Sequence, residues 1–196
     1  MHRLTGSALL VGVSFVLAAC ADARSPTGAL PTSSAARGVI ASSPHAGGAT
    51  RLISLMDACD STSFANALHD PTVCVRDHGV PFDTFIAQVA KHGFAGAWHF
   101  APPTVEARVG QTLLAVNRGG EVHTFTEVEE FGGGIVPMLN QLSGNTTVAP
   151  ECMQLAPGDF IPPGGSTTDD VDEPGVEKYQ CCIHPWMRTV VRIRGS

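Results

Sequence analysis

The spacing of apolar positions changes character several times along the chain. Residues 8–19 are almost uniformly apolar, whereas residues 21–50 are Ala, Ser, Pro, Gly and Thr with few large apolar side chains. The second stretch cannot repay the entropy of ordering and reads as a flexible tether. Folding is expected to begin near Arg51. Asp60 and its neighbouring serines cap a helical turn or two over residues 60–66, which His69-Asp70-Pro71 ends. Pro81 opens a stronger helix: Phe82, Phe85, Ile86, Val89 and Ala90 recur at helical spacing, and Gly93 stands as the stop. Beyond it the period shortens, and strands are expected over 97–100, 105–109, 111–117, 122–126 and 189–194. Gly110 and Gly119-Gly120 separate them. Residues 132–165, rich in Gly and Pro, read as excursions and short strands. No internal repeat is present.

The pattern predicts an all-β fold: a small antiparallel sandwich with a short helical N-terminal extension. The expected organisation is 1–19 as a signal peptide, 20–50 as tether, 51–95 as the helical extension and 96–196 as the functional domain. Composition agrees, because 21 Gly and 14 Pro in 196 residues favour short strands and turns over a helix bundle. The formal charge of −6 with no Lys/Arg-rich run removes nucleic acid as a partner. Acidic residues gather at Glu127, Glu129 and Glu130, and at Asp169, Asp170, Asp172, Glu173 and Glu177. They would suit a basic docking face, or serve as plain solvated surface.

The N-terminus carries an address. Met1-His2-Arg3 supplies a basic start, the apolar stretch is too short to span a bilayer, and Leu17-Ala18-Ala19-Cys20 follows. This arrangement resembles the bacterial lipoprotein signal, which implies export, lipidation of Cys20, and membrane attachment through that anchor alone in the periplasm or at the cell surface. An ordinary signal peptide with Cys20 incidental is the other reading.

The chemistry concentrates in Tyr179-Gln180-Cys181-Cys182-Ile183-His184-Pro185-Trp186-Met187, directly before the last expected strand. One tight loop there carries a thiolate, an imidazole and a thioether. A metal cycling between Cu(I) and Cu(II) favours soft sulfur with imidazole, in a trigonal His2Cys set with a long axial Met. The loop lacks one imidazole, and His123 at a strand end after Gly119-Gly120 is the natural donor. Zinc, a disulfide beside an incidental His, or Met187 as plain core are the competing readings, although no second Cys-x-x-Cys or His pair supports zinc. His69, His78, His92 and His99 lack ligand spacing, and His99 should face outward between Trp98 and Phe100.

The Cys-x-x-His-x-x-Met spacing with His184-Pro185 resembles the short copper loop of amicyanin-type cupredoxins, and the resemblance spans residues 98–194. It implies an eight-stranded Greek-key sandwich holding one type 1 copper ion through His123, Cys181, His184 and Met187. It also implies one-electron transfer rather than catalysis, with His184 at the solvent edge and Pro185 and Trp186 as an apolar docking patch for exported redox proteins. Thr124 stands where the family often has Asn, so a hydrogen bond to the Cys loop would have to come from its hydroxyl. Setting aside Cys20 and Cys181 leaves Cys59, Cys74, Cys152 and Cys182, an even number in an oxidising compartment. Three pairings are possible. Cys59 and Cys74 bracket one helical unit, which favours Cys59–Cys74 with Cys152–Cys182. Two rival functions remain: a copper storage or delivery module, and a red-copper-like redox enzyme with Glu127, Glu129 or Glu130 beside the metal.

Overall fold

The computed structural model of the chain describes residues 48–195. The expected signal peptide, Cys20 and the tether up to residue 47 lie outside them. Among the described residues the fold is predominantly β, with eight strands in two four-stranded sheets and three α-helices.

The strands are β1 (Arg51–Met56), β2 (His99–Ala101), β3 (Thr104–Arg108), β4 (Thr112–Asn117), β5 (Thr126–Val128), β6 (Ser166–Asp170), β7 (Gly175–Gln180) and β8 (Arg188–Arg194). One sheet has the order β2-β1-β4-β6, the other β3-β8-β7-β5. Alternation puts Ile53 and Leu55 of β1, Leu113 and Ala115 of β4, Val105 and Ala107 of β3, and Val191 and Ile193 of β8 into one shared core. A sandwich results, because each sheet can dry only one face against the other.

Several expectations change here. The sandwich is not purely antiparallel: β1 runs parallel to β4, and β3 parallel to β8. Both pairs are joined by long excursions, which free the second strand to return in the same direction. Arg51–Met56, expected within the helical extension, is a strand hydrogen-bonded between β2 and β4. The strand expected over 122–126 is reduced to a bridge between His123 and Ile161, and β5 starts only at Thr126. Within 132–165 the chain forms a helix, α3 (Pro137–Ser143), and two short 3-10 turns rather than strands.

The other helices follow their sequence signals. In α1 (Ser61–Leu68) the Asp60 side chain accepts from Ser63 N–H, and His69 leaves the helix at φ 55°. In α2 (Phe82–His92) Pro81 leads in, and Gly93 ends it at φ 79°, a left-handed position that glycine fills without strain. Phe64 of α1 and Phe85 of α2 pack on Trp98, with ring centroids 6.1 and 4.5 Å away. α3 packs against α2. This helical layer shares the sandwich core and lies over one end of it, where the candidate ligands gather.

Candidate metal centre

Two segments meet at that end. The β7–β8 loop is closed by Cys181 N–H donating to Met187 O (3.0 Å) and Met187 N–H donating to His184 O (2.9 Å). Opposite it, His123 is fixed by two backbone bonds to Ile161, of 3.1 and 2.7 Å. The structure thereby brings together His123, Cys181 and His184, all buried, with ligand atoms within 4.8 Å of one another. Cys181 Sγ lies 3.7 Å from His123 Nδ1 and 3.9 Å from His184 Nδ1. A trigonal ion with bonds of about 2.0 Å to nitrogen and about 2.3 Å to sulfur needs N···S separations of about 3.7 Å, so the donor set fits one metal ion. Met187 is fully buried in the same loop.

The surroundings hold the donors in place. His123 Nε2 lies 2.8 Å from Asp57 Oδ2, which leaves Nδ1 to face the thiol. Asp57 also accepts from the backbone N–H groups of Cys59, Gly120 and Glu121. Thr124 N–H points at Cys181 Sγ (3.5 Å), and Thr124 Oγ1 accepts from Cys182 N–H (2.8 Å), the hydroxyl contact expected at this position. Cys152–Cys182 anchors the loop beside Cys181, and Cys59–Cys74 anchors the chain just beyond Asp57. Cys181 is the free cysteine among the described residues.

Electrostatics follow from this packing. Burial works against charge on all three central groups, and their mutual contacts outweigh it. Asp57 is held well below the usual carboxylate range by His123 and the Gly120 N–H. His123 is pushed up to about 9 by Asp57 and Cys181. His123 and His184 lower the Cys181 thiol well below its ordinary value. Without metal the centre is thus a buried thiolate–imidazolium–carboxylate chain, and an ion entering at Nδ1 displaces a proton.

Asp57, Glu121 and Trp98 were not singled out by the sequence. Glu121 Oε2 accepts from Trp98 Nε1 at 2.5 Å and lies 3.7 Å from His184 Nε2. Burial raises the Glu121 carboxyl, opposed by His184 and the Trp98 bond. Glu121 sits two residues before His123, but only the fold shows that it faces the other imidazole.

The expected solvent edge is corrected. His184 is 2 % exposed, because Phe85 of α2 stands edge-on to it with centroids 6.2 Å apart and Trp186 flanks it at 5.7 Å. Pro185 is buried and Trp186 only partly exposed, so they form no open docking patch. Glu127, Glu129 and Glu130 are exposed, with Glu130 paired to Lys178 at 2.7 Å, and none joins the cluster. His69, His78, His92 and His99 are exposed and apart from it.

No family model and no curated protein matches this chain. Among solved structures it is similar to a purple cupredoxin from Nitrosopumilus maritimus at 24 % identity and TM-score 0.37, covering 51 % of this chain and 86 % of that one. It is also similar to a variant of amicyanin in the Cu(I) state at 19 % identity and TM-score 0.35, covering 51 % and 76 %. At such low identity and TM-score these likenesses carry no inference about the centre, whose chemistry rests on its own geometry.

Proposed function

We propose that the chain binds one copper ion through His123 Nδ1, Cys181 Sγ and His184 Nδ1, with Met187 as the weak axial donor, and carries single electrons between exported redox proteins. The observation that supports this most is the pair of N···S separations, 3.7 and 3.9 Å, around one buried thiolate. One thiolate with two imidazoles and a thioether suits copper in both oxidation states better than zinc, which favours four strong ligands. A bound copper ion would supply the one-electron couple. The chain does the rest: Asp57 fixes the His123 ring, Thr124 N–H donates toward the sulfur, and Cys152–Cys182 braces the loop. Donors locked this way resist rearrangement between oxidation states, and that rigidity favours rapid electron exchange over storage or delivery.

Lipidation at Cys20 and attachment to a membrane facing an oxidising compartment belong to the same proposal, as does steering of a basic partner by the acidic surface. Glu127 and Glu177, next to Asp169 and Glu173, are raised first by partial burial and then by their like charges, which marks a concentrated acidic face. Voltammetry of the copper-loaded protein tests the carrier reading. A reversible one-electron wave is expected, lowered but retained in Met187→Gln, since a harder oxygen donor stabilises Cu(II). Irreversible loss of copper on each reduction would refute it.

A further inference from the structure

We propose that Arg188 is a positioning residue: it sets the shape of the ligand loop between β7 and β8, and with it the reach of Met187 toward the metal. The role given to Met187 rests on the copper reading, whereas the clamp on the loop does not. Gln180 and Arg188 are cross-strand partners at the root of the loop, and Cys181 and Met187 stand directly inside them. The geometry of that pair therefore fixes where both sulfur atoms start. Both partners reach the same residue. Gln180 Oε1 accepts from Gly132 N–H (3.0 Å), and Arg188 Nη2 donates to Gly132 O (3.2 Å). Gly132 is itself packed so closely on the next segment that a Cβ there would stand 2.7 Å from Thr147 O and 2.8 Å from Ala149 N.

The guanidinium makes further contacts that a point charge could not. Its Nε donates to Pro185 O (2.6 Å), and Nη2 also donates to Asn145 Oδ1 (2.6 Å). Its flat face lies 4.7 Å from the centre of the Phe131 ring. One planar group thus ties the carbonyl beside His184 to Phe131, Gly132 and Asn145, all outside the loop. Pro185 O accepts from no other donor among the described residues. A buried carbonyl that loses its donor is costly, so removing the guanidinium should let this part of the loop move. Lysine keeps the charge but carries a single nitrogen on a flexible stem, which cannot serve three oxygen atoms in those fixed directions. Outer contacts of this kind hold ligands at their working distances.

The test compares Arg188→Lys with the unaltered full chain in two measurements. In the metal-free protein, amide hydrogen exchange of Met187, whose N–H donates to His184 O, should quicken at least about tenfold. Val191 and Ile193 in the same strand should stay within about twofold, which a general loss of stability would not allow. This measurement needs no copper, so its failure is separate from failure of the copper reading. In the copper-loaded protein the reduction potential should rise although the charge is kept, because a loosened thioether donates less to Cu(II). Asn145→Ala removes one partner of the guanidinium without touching the loop and should shift both readouts in the same direction by less; it carries the test if Arg188→Lys does not fold. Arg192→Lys, on an exposed side chain of β8, should change neither. Unchanged Met187 exchange, equal quickening along the whole of β8, or a potential that Arg188→Lys leaves in place would overturn the proposal.

Discussion

Replacing Asp57 by Asn isolates the electrostatic part of the centre, because it keeps the side chain's shape and removes one buried negative charge. Asp57 is fully buried and contacts His123 Nε2 at 2.8 Å. A copper ion on Nδ1 would sit about 7 Å from the carboxylate, counting that contact, the ring and a metal–nitrogen bond of about 2.0 Å. With an effective dielectric constant of about 20, a unit charge at that distance favours each added positive charge by about 2.4 kcal/mol. For a one-electron couple this corresponds to about 100 mV. The carboxylate favours Cu(II), so Asp57→Asn should raise the reduction potential by about that amount while copper is retained. Protein-film voltammetry of both proteins at pH 7 reads it. A change smaller than about 20 mV, or one in the opposite direction, would refute the claim that Asp57 acts through His123 as an ionised neighbour.

Other expectations come from the same contacts. Because the His123 pKa is raised from 6.5 to about 9, its stabilising contribution is complete below pH 6.5 and lost as pH climbs through 9. The Cys181 thiol is lowered by the same contacts, so its contribution grows as pH rises toward 9 and offsets that loss. The urea midpoint of the metal-free protein should therefore stay nearly level between pH 7 and 9 and fall as pH drops below 6.5, where the unfolded imidazole takes up a proton. A steep fall between pH 7 and 9 would count against the buried thiolate–imidazolium pair. Phe85→Ala should cost about 3–5 kcal/mol and speed electron exchange between His184 and small inorganic reagents in stopped-flow measurements; an unchanged rate would show that α2 is no barrier. Opening Cys152–Cys182 by double Ala substitution should cost about 3.6 kcal/mol in denaturant unfolding, from the loop its separation of 30 residues closes.

The ligand loop was legible in the sequence because Cys181, His184 and Met187 are close neighbours whose spacing alone brings them together. The α2 helix was legible for a similar reason, since Phe82, Phe85, Ile86 and Val89 repeat at helical spacing and Gly93 ends the run. What escaped depends on distant packing. In β1, Leu52 is 46 % exposed and Ile53 fully buried, so two adjacent apolar residues hide the alternation that marks a strand. The edge strand β6 has only hydroxyl and acidic side chains, Ser166-Thr167-Thr168-Asp169-Asp170, and owes its form to pairing with β4. Asp57 gains its role from His123, 66 residues away, and no local motif marks it. The covering of His184 has the same origin: Phe85 arrives from a helix nearly a hundred positions earlier in the chain, and no spacing rule links the two.

The central claim is that Cys181 binds copper as a thiolate between two imidazoles, and optical absorption of the copper-loaded protein tests it most directly. One copper ion per chain with an intense visible thiolate-to-copper band is expected, because the sulfur lies within bonding reach of an ion shared with both Nδ1 atoms. Cys181→Ser should abolish the band. A copper-loaded protein with no intense visible band, or with the same band after Cys181→Ser, would contradict the account.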